Sequence, residues 1–189
     1  MNGWTEVESQ DWDIGFFKPS IEDEIMVNYL RKRGKIINRY PGIKGLFHKD
    51  QFKKQMKICS DINPKAFDFV PQTFIYPLEQ IKLKEYIKSH PGCCLIAKPS
   101  NGLKGKDIFL MRDMQDIEYK IIDKNKGKAD YIVQQYIDKP LLMDGYKFDL
   151  RVYVTLFGSD PENPDNWHSF LSKEGLARFC TAKYKKPTT

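Results

Sequence analysis

The chain has 189 residues and carries 31 Lys and Arg against 25 Asp and Glu, a formal net charge of +6; that is length enough for a buried core, and the charge favours an acidic partner. No nucleic-acid-binding motif supports a nucleic acid as that partner, no apolar run is long enough to cross a membrane as a helix, and no signal-peptide core follows Met1. The cysteines Cys59, Cys93, Cys94 and Cys180 lack metal-finger spacing, and adjacent Cys93 and Cys94 make a poor disulfide pair, so a soluble intracellular protein with reduced thiols is expected.

In chain order, Ser20 to Arg33 reads as a helix, with Ser20 as its cap and Asp23 at the third position. Ile21, Ile25 and Tyr29 fall at helical spacing, and Gly34 ends the run. Arg31, Lys32, Arg33 and Lys35 close this helix. A solvated end that complements the helix dipole explains such a charge run, and a patch facing an acidic partner is the competing reading. Ile36 to Tyr40 predicts a brief strand before the turn Pro41-Gly42. A second helix is predicted over Lys49 to Cys59, with Phe47, Phe52, Met56 and Cys59 on one side and Asn63-Pro64 to stop it. Leu78 to Ser89 predicts a third helix. Asp113 to Asn125 predicts a fourth, leading into a basic loop over Lys124 to Lys128. The histidines His48, His90 and His168 are scattered, and none falls in a metal or nucleophile spacing.

Two stretches carry chemistry. In Leu95 to Leu110, LIAKPSNGLKGKDIFL, alternation places Lys98 at the mouth of a strand, Gly102 and Gly105 free the backbone for close approach to a ligand, and Ile108 to Leu110 forms a second strand. Lysines and exposed N–H groups in one turn suit a triphosphate, although a solvated hairpin would use the same residue types. The pattern matches neither the GxxxxGK[ST] loop nor GxGxxG, because both of those open a helix. In the second stretch, Tyr131 to Val133 is a short β run that Gln134, Gln135, Tyr136 and Ile137 leave before Asp138-Lys139-Pro140. After the turn Asp144-Gly145, the run Lys147 to Val154 places Lys147, Asp149 and Arg151 on one strand face and Phe148, Leu150 and Val152 on the other. That charged face is read as a polar active-site floor. The alternative is a solvated face with a cross-strand salt bridge.

Asn38-Arg39-Tyr40-Pro41-Gly42, Phe67-Asp68-Phe69-Val70-Pro71-Gln72-Thr73-Phe74 with Pro77, the Lys98 to Leu110 hairpin, Gln134-Gln135-Tyr136-Ile137, Lys147 to Val154 and Gly175-Leu176-Ala177-Arg178-Phe179 occur together in this order. Over nearly the whole chain this resembles the tubulin tyrosine ligase-like family, and its polyglutamylase members more than the tyrosine ligase itself. The resemblance implies an α+β ATP-grasp fold in which two subdomains sandwich ATP and magnesium, and an ATP-dependent carboxylate–amine ligase that works through an acylphosphate. It implies an N-terminal αβ portion at 1–65, a central portion with the phosphate-covering hairpin at 66–137, and an incomplete C-terminal portion at 138–189.

By matched position, Lys98 resembles the lysine that holds the nucleotide phosphates, with Gly102, Gly105 and Lys106 in the flap over them. Gln134, Gln135, Tyr136 and Ile137 resemble the hinge that contacts adenine. Lys147, Asp149 and Arg151 resemble the trio near nucleotide and acceptor, and Arg178 the arginine that binds the incoming amino acid or the acylphosphate. Lys98 and Lys147 are then expected to face one nucleotide pocket. The partner implied is tubulin or the microtubule through its acidic tails, in the cytoplasm and cytoskeleton and, more finely, the axoneme of a cilium or flagellum. Asp107 stands where many relatives have glycine and Lys104 where glutamine is common, and residues 158–173 carry an expanded polar loop. The sequence stops at Thr189, before the family's magnesium ligands, so none of its residues is assigned to the metal. The competing expectation is a catalytically incomplete module that binds microtubules or an axoneme with the same fold.

Overall fold

The computed structural model of the protein describes residues 3–8, 11–18, 20–32, 34–43, 48–102, 105–123, 130–158 and 167–187. It forms two compact units, Met1–Tyr136 and Ile137–Thr189. Phe47, Leu103, Lys104 and the Lys124 to Lys128 loop, singled out above, lie outside the described residues, as do residues 159–166 of the expanded loop of 158–173.

In the first unit, β1 (Ile14–Gly15) precedes α1 (Asp23–Leu30) and pairs in parallel with β2 (Ile36–Ile37). α1 is shorter than predicted. Glu22, in extended conformation, takes the N-cap position without a side-chain bond, and Ser20 does not cap. The carboxylate of Asp23 instead accepts the N–H of Gly42 at 2.9 Å, so the helix start is tied to the Pro41-Gly42 turn. β2 is also shorter than predicted, because side chains replace the ladder beyond Ile37. Asn38 Oδ1 accepts from Phe17 N at 2.8 Å, and Arg39 Nε donates to Phe17 O at 3.1 Å. Trp12, Phe17 and Tyr29 pack ring on ring at 4.9 to 5.5 Å, and Lys32 and Lys35 lie against Tyr29 and Trp12, so these two members of the charge run are held by aromatic faces. A side chain at Gly15 would put its Cβ 2.6 Å from the Phe17 ring, which explains the glycine there.

α2 (Lys49–Ile62) runs three residues past the predicted end. It stops at Asn63, whose side chain accepts the N–H of Ala66 and opens the 3₁₀ turn Pro64–Phe67. An antiparallel sheet follows, built from β3 (Thr73–Tyr76), β4 (Leu95–Pro99), β5 (Phe109–Met111) and β6 (Tyr131–Gln135) in the order β3-β6-β4-β5. The predicted hairpin is present, with Leu95 opposite Met111 and Ala97 opposite Phe109. β6 extends through Gln134 and Gln135, which the sequence placed beyond the strand; the ladder holds them in it, Gln134 opposite Thr73 and Ile96 and Gln135 opposite Leu95. α3 (Gln80–Ser89) and α4 (Met114–Ile117) pack on one face, and α4 is capped by Asp113, whose carboxylate accepts from Asp116 N at 3.0 Å. The predicted fourth helix keeps α winding only to Ile117 and continues as a π turn over Glu118–Asp123.

Strand alternation then sorts the residues. Phe74, Tyr76, Leu95, Ala97, Tyr131 and Val133 point to the helices and close the core with Leu83, Met111 and Ile117. Each large apolar side chain buried this way contributes about 1.5–3 kcal/mol. The opposite face carries Thr73, Ile96, Lys98 and Gln134, and α2 lines a cavity there.

In the second unit, β7 (Leu142–Met143), β8 (Tyr146–Arg151) and β11 (Leu176–Lys183) form a sheet in the order β11-β8-β7, and β9 (Val154–Phe157) pairs with β10 (His168–Leu171). Asp144 and Gly145 turn β7 into β8 with φ of 53° and 82°, the left-handed pair that a tight hairpin of this twist requires. The strand expected over Lys147 to Val154 is in fact two. At Tyr153 the chain changes partner, its carbonyl accepting the N–H of Ser172 at 2.9 Å, and β9 then pairs with β10 in place of β11.

Candidate functional site

The polar face of the four-stranded sheet and α2 enclose a cavity of about 560 Å³, within the range of small-molecule sites. Lys49, Lys53 and Lys57 enter it from α2, Lys82 from α3 and Lys98 from β4, while Glu79 is the acidic residue on its wall among the described residues. Phe52, Met56, Phe67 and Ile132 supply apolar wall. An excess of cations over carboxylates in a concave, partly desolvated space selects an anionic ligand, and the apolar wall suits a flat ring.

Lys98 and Gln134 meet in this cavity, with Lys98 Nζ donating to Gln134 Oε1 at 3.0 Å. The amide is oriented by its other contact: Gln134 Nε2 donates to Thr73 Oγ1 at 2.9 Å, and the Thr73 hydroxyl donates to Pro71 O at 2.7 Å. A hydroxyl has one hydrogen, so once it is given to Pro71 the Thr73 oxygen can only accept, and the amide must turn its own oxygen to Lys98. Gln135, Tyr136 and Ile137 are not drawn into this contact. Gln135 is exposed, Tyr136 N donates to Cys94 O at 2.9 Å, and Ile137 is exposed in the second unit.

The loop after Lys98 is shaped by its glycines in two ways. Gly105 has φ of 77°, the left-handed region that L side chains adopt at a cost. Gly102 has no such φ, but a Cβ there would lie 3.1 Å from Pro99 Cβ and 3.3 Å from Pro99 O, so its close approach is to the chain itself. Asp107 also adopts a positive φ, 57°, a conformation that a glycine at this place would take without strain. Lys106 is exposed. Ser100 Oγ is buried with no hydrogen-bond partner among the described residues.

Sequence reasoning missed the residues of α2 and α3 around this cavity. Lys49 Nζ donates to three backbone carbonyls of the loop, and Lys53 Nζ lies 2.6 Å from Glu79 Oε2, both side chains 16% exposed. Glu79 also accepts the N–H of Ile75 at 2.9 Å, with Lys82 at 3.5 Å. Burial alone raises the Glu79 carboxyl, but the Lys53 and Ile75 hydrogen bonds with the charges of Lys53 and Lys82 outweigh it and hold the pKa below the ordinary glutamate value. The available signal was lysine at 49, 53 and 57, a repeat of four that puts all three on one helix face.

In the second unit, Asp149 and Arg178 are directly opposite across β8 and β11 and form a bidentate pair, at 2.7 and 2.9 Å. The Arg178 hydrogen bonds first, then the charges of Arg178 and Arg151, hold Asp149 below the ordinary aspartate value against a smaller desolvation. The pair is more than half exposed, so its contribution to stability is small, and its planar fork fixes orientation instead. Lys147 lies 5.9 Å from the centre of the Tyr184 ring. Arg151 is exposed at the end of β8, and its carbonyl would be 2.6 Å from a Cβ at Gly175, which explains the glycine that begins the Gly-Leu-Ala-Arg-Phe motif. The trio is thus one ion-paired residue flanked by two cations.

The cavity's lysines and amide fit ATP. Among the described residues no group of three or more His, Cys, Asp or Glu could hold a metal, so no step is assigned to magnesium.

An antiparallel sheet with α3 and α4 on one face, and on the other α2 above a lysine, a glutamine and the loop between hairpin strands, defines an α+β fold of the ATP-grasp type. The solved C-terminal domain of K. lactis Pby1, described as an ATP-grasp enzyme interacting with the mRNA decapping enzyme Dcp2, shares it at a TM-score of 0.65, with 19% identity, 97% of this chain covered and 52% of that one. The chain belongs to the tubulin-tyrosine ligase family, whose profile matches residues 28–189, as the ordered motifs led us to expect. Similar relatives are the human tubulin polyglutamylases TTLL6, 35% identical over 96% of this chain, and TTLL13, 32% identical over all of it. Human tubulin polyglutamylase TTLL7 is 34% identical over 93%. The chain spans about a fifth of the length of these relatives, 19%, 21% and 20%.

Proposed function

We propose that the protein is an ATP-dependent carboxylate–amine ligase of the polyglutamylase type, which adds glutamate to the acidic tails of tubulin. The observation that carries this reading is the lysine-walled cavity containing Lys98 and Gln134, in a chain whose relatives are tubulin polyglutamylases. ATP, when bound, supplies the phosphoryl group that activates a carboxylate. In this reading Lys98 holds its phosphates, the loop of Gly102, Gly105 and Lys106 covers them, and Gln134, Gln135, Tyr136 and Ile137 serve the adenine end. Positive groups held in place before the reaction stabilise the charge that gathers during phosphoryl transfer to a carboxylate. Arg178, oriented by Asp149, and Lys147 and Arg151 beside it are assigned to the acceptor and the incoming glutamate. Magnesium accompanies ATP in this proposal through groups that the described residues do not identify.

The net charge of +6 supports an acidic partner and a place on the microtubule cytoskeleton in the cytoplasm, with the axoneme as its finer form. Among the described residues no helix is long and apolar enough to cross a membrane. The test is incorporation of labelled glutamate into microtubules by the protein purified from its native source, with tail-cleaved microtubules in parallel. Incorporation that requires ATP and intact tails is expected. Incorporation of a different amino acid, or equal labelling of tail-cleaved microtubules, overturns the proposal.

A further inference from the structure

β11 leaves its partner strand irregularly. Phe179 lies opposite Phe148 and Lys183 opposite Tyr146, so four steps along β11 match two along β8, and two extra residues are taken up between these pairs. Bulges of this kind re-aim the side chains that follow. Continued without the extra residues, the register would bring Ala182 to Gly145; with them Tyr184 arrives there, its N–H donating to Gly145 O at 2.8 Å. Tyr184 is half-buried, although every residue of β11 is exposed. Its hydroxyl donates to Asp138 O at 3.0 Å, and its ring centre lies 5.9 Å from Lys147 Nζ. Two residues further on, Lys186 Nζ meets Asp138 Oδ2 at 2.7 Å. The segment after β11 is thus fastened both to the chain that enters β7 and to the turn that leaves it.

We propose that Tyr184 is a positioning residue for the anion that Lys147 takes: its ring carries the Lys147 ammonium, and its hydroxyl fixes that ring against the chain at Asp138. A lysine side chain loses rotamer freedom when its head is fixed on a ligand, and a ring that already holds the head meets part of that loss beforehand. The face of an aromatic ring is negative, so it attracts the ammonium without neutralising it, whereas a carboxylate at the same place would cancel the charge. Lys147 therefore keeps its charge for the ligand. A ring free to swing would carry the ammonium with it. The hydrogen bond to Asp138 O on one side and the Tyr184 N–H on Gly145 O on the other prevent this. The inference rests on the reading in which Lys147 serves a bound oxyanion, a phosphate of ATP or the carboxylate of the incoming glutamate.

Nuclear magnetic resonance of the full chain with isotope-labelled lysine reads the contact directly, since protons over an aromatic face resonate upfield. The Lys147 ε-methylene signal is identified by its loss in Lys147→Gln. In the wild type it is expected upfield of lysines that face solvent, and it should move when a non-hydrolysable ATP analogue is added or when glutamate is added to the analogue complex; the addition that moves it names the anion. Tyr184→Leu removes the ring, and should return the signal to the solvated position and weaken binding of that ligand about fivefold. Tyr184→Phe keeps the ring without its tether, and is expected to keep most of the shift and to lose about twofold. Lys186→Gln removes a neighbouring cation and the Asp138 ion pair without touching the ring, and a loss of about twofold or less is expected. A wild-type signal at the solvated position overturns the inference whether or not any variant folds. So does a ligand that binds without moving the signal, and so do equal losses for Tyr184→Leu and Lys186→Gln, which would mean that charge near Asp138 matters and the ring does not. A wild type that binds neither analogue nor glutamate defeats the ligase reading, whereas a wild type that binds and a Tyr184→Leu variant that binds equally well defeat this inference alone.

Discussion

Replacing Lys53 by methionine tests whether α2 is held to the sheet electrostatically. Lys53 Nζ is 2.6 Å from Glu79 Oε2, both side chains are 16% exposed, and Lys82, at 3.5 Å and 68% exposed, is the weaker partner. At an effective dielectric of about 20 this Coulomb attraction is about 6 kcal/mol, and desolvation of the two groups offsets much of it. Lys53→Met leaves Glu79 charged, mostly buried and still accepting the N–H of Ile75, so a loss of about 2–3 kcal/mol is expected. Glu79→Gln keeps an acceptor for Ile75 and loses less, about 1–2 kcal/mol, and the double variant should show a coupling of about 1–2 kcal/mol between the sites. The pH dependence has a fixed sign. The Glu79 carboxyl is held below its ordinary value of 4.5 in the folded protein. Its stabilisation is therefore complete above that value and lost as the pH falls through the lower folded pKa. Urea unfolding followed by far-UV circular dichroism, supplemented by amide exchange in β3 and β6, measures both effects, and the difference between wild type and Glu79→Gln should shrink as the pH falls below about 4.5. A Lys53→Met loss under 0.5 kcal/mol, or a wild-type to Glu79→Gln difference independent of pH, would refute the reasoning.

Two further outcomes are expected. Leu83→Ala empties a fully buried position between α3 and the sheet, so unfolding of the first unit should be easier by about 2–5 kcal/mol by the same urea titration; a change below 1 kcal/mol would contradict the packing described. Burial first, and then the neighbouring Cys94, push the Cys93 thiol above its ordinary pKa, while Cys180 is exposed, so iodoacetamide near pH 8 should label Cys180 well before Cys93, as read by peptide mass spectrometry.

The features legible in the sequence were those set by nearest neighbours in the chain. Alternation set Leu95 and Ala97 on one side of their strand and Lys98 on the other, at its mouth, and the Asp144-Gly145 turn was read directly, because each rests on a local backbone rule; the structure buries the first pair. The ends of elements were set by distant partners and were misplaced accordingly. Gly42, nineteen residues beyond Asp23, engages the start of α1, and Ser172 draws the carbonyl of Tyr153 out of the long strand. The same distinction governs the site. Asp149 and Arg178 could each be nominated from a motif, but that they form a single bidentate unit depends on the register of β8 and β11. Lys49 shares a repeat of four with Lys53 and Lys57, but lysines on one face of a charged amphipathic helix read as a solvated face. Its significance comes from a loop fifty residues later whose carbonyls converge on it. Carbonyl clusters leave no trace in residue type, because every residue carries the same carbonyl. A cation that works through backbone acceptors is therefore found from geometry, whereas one that works through a carboxylate, as Lys53 does with Glu79, can be sought by looking for its opposite charge.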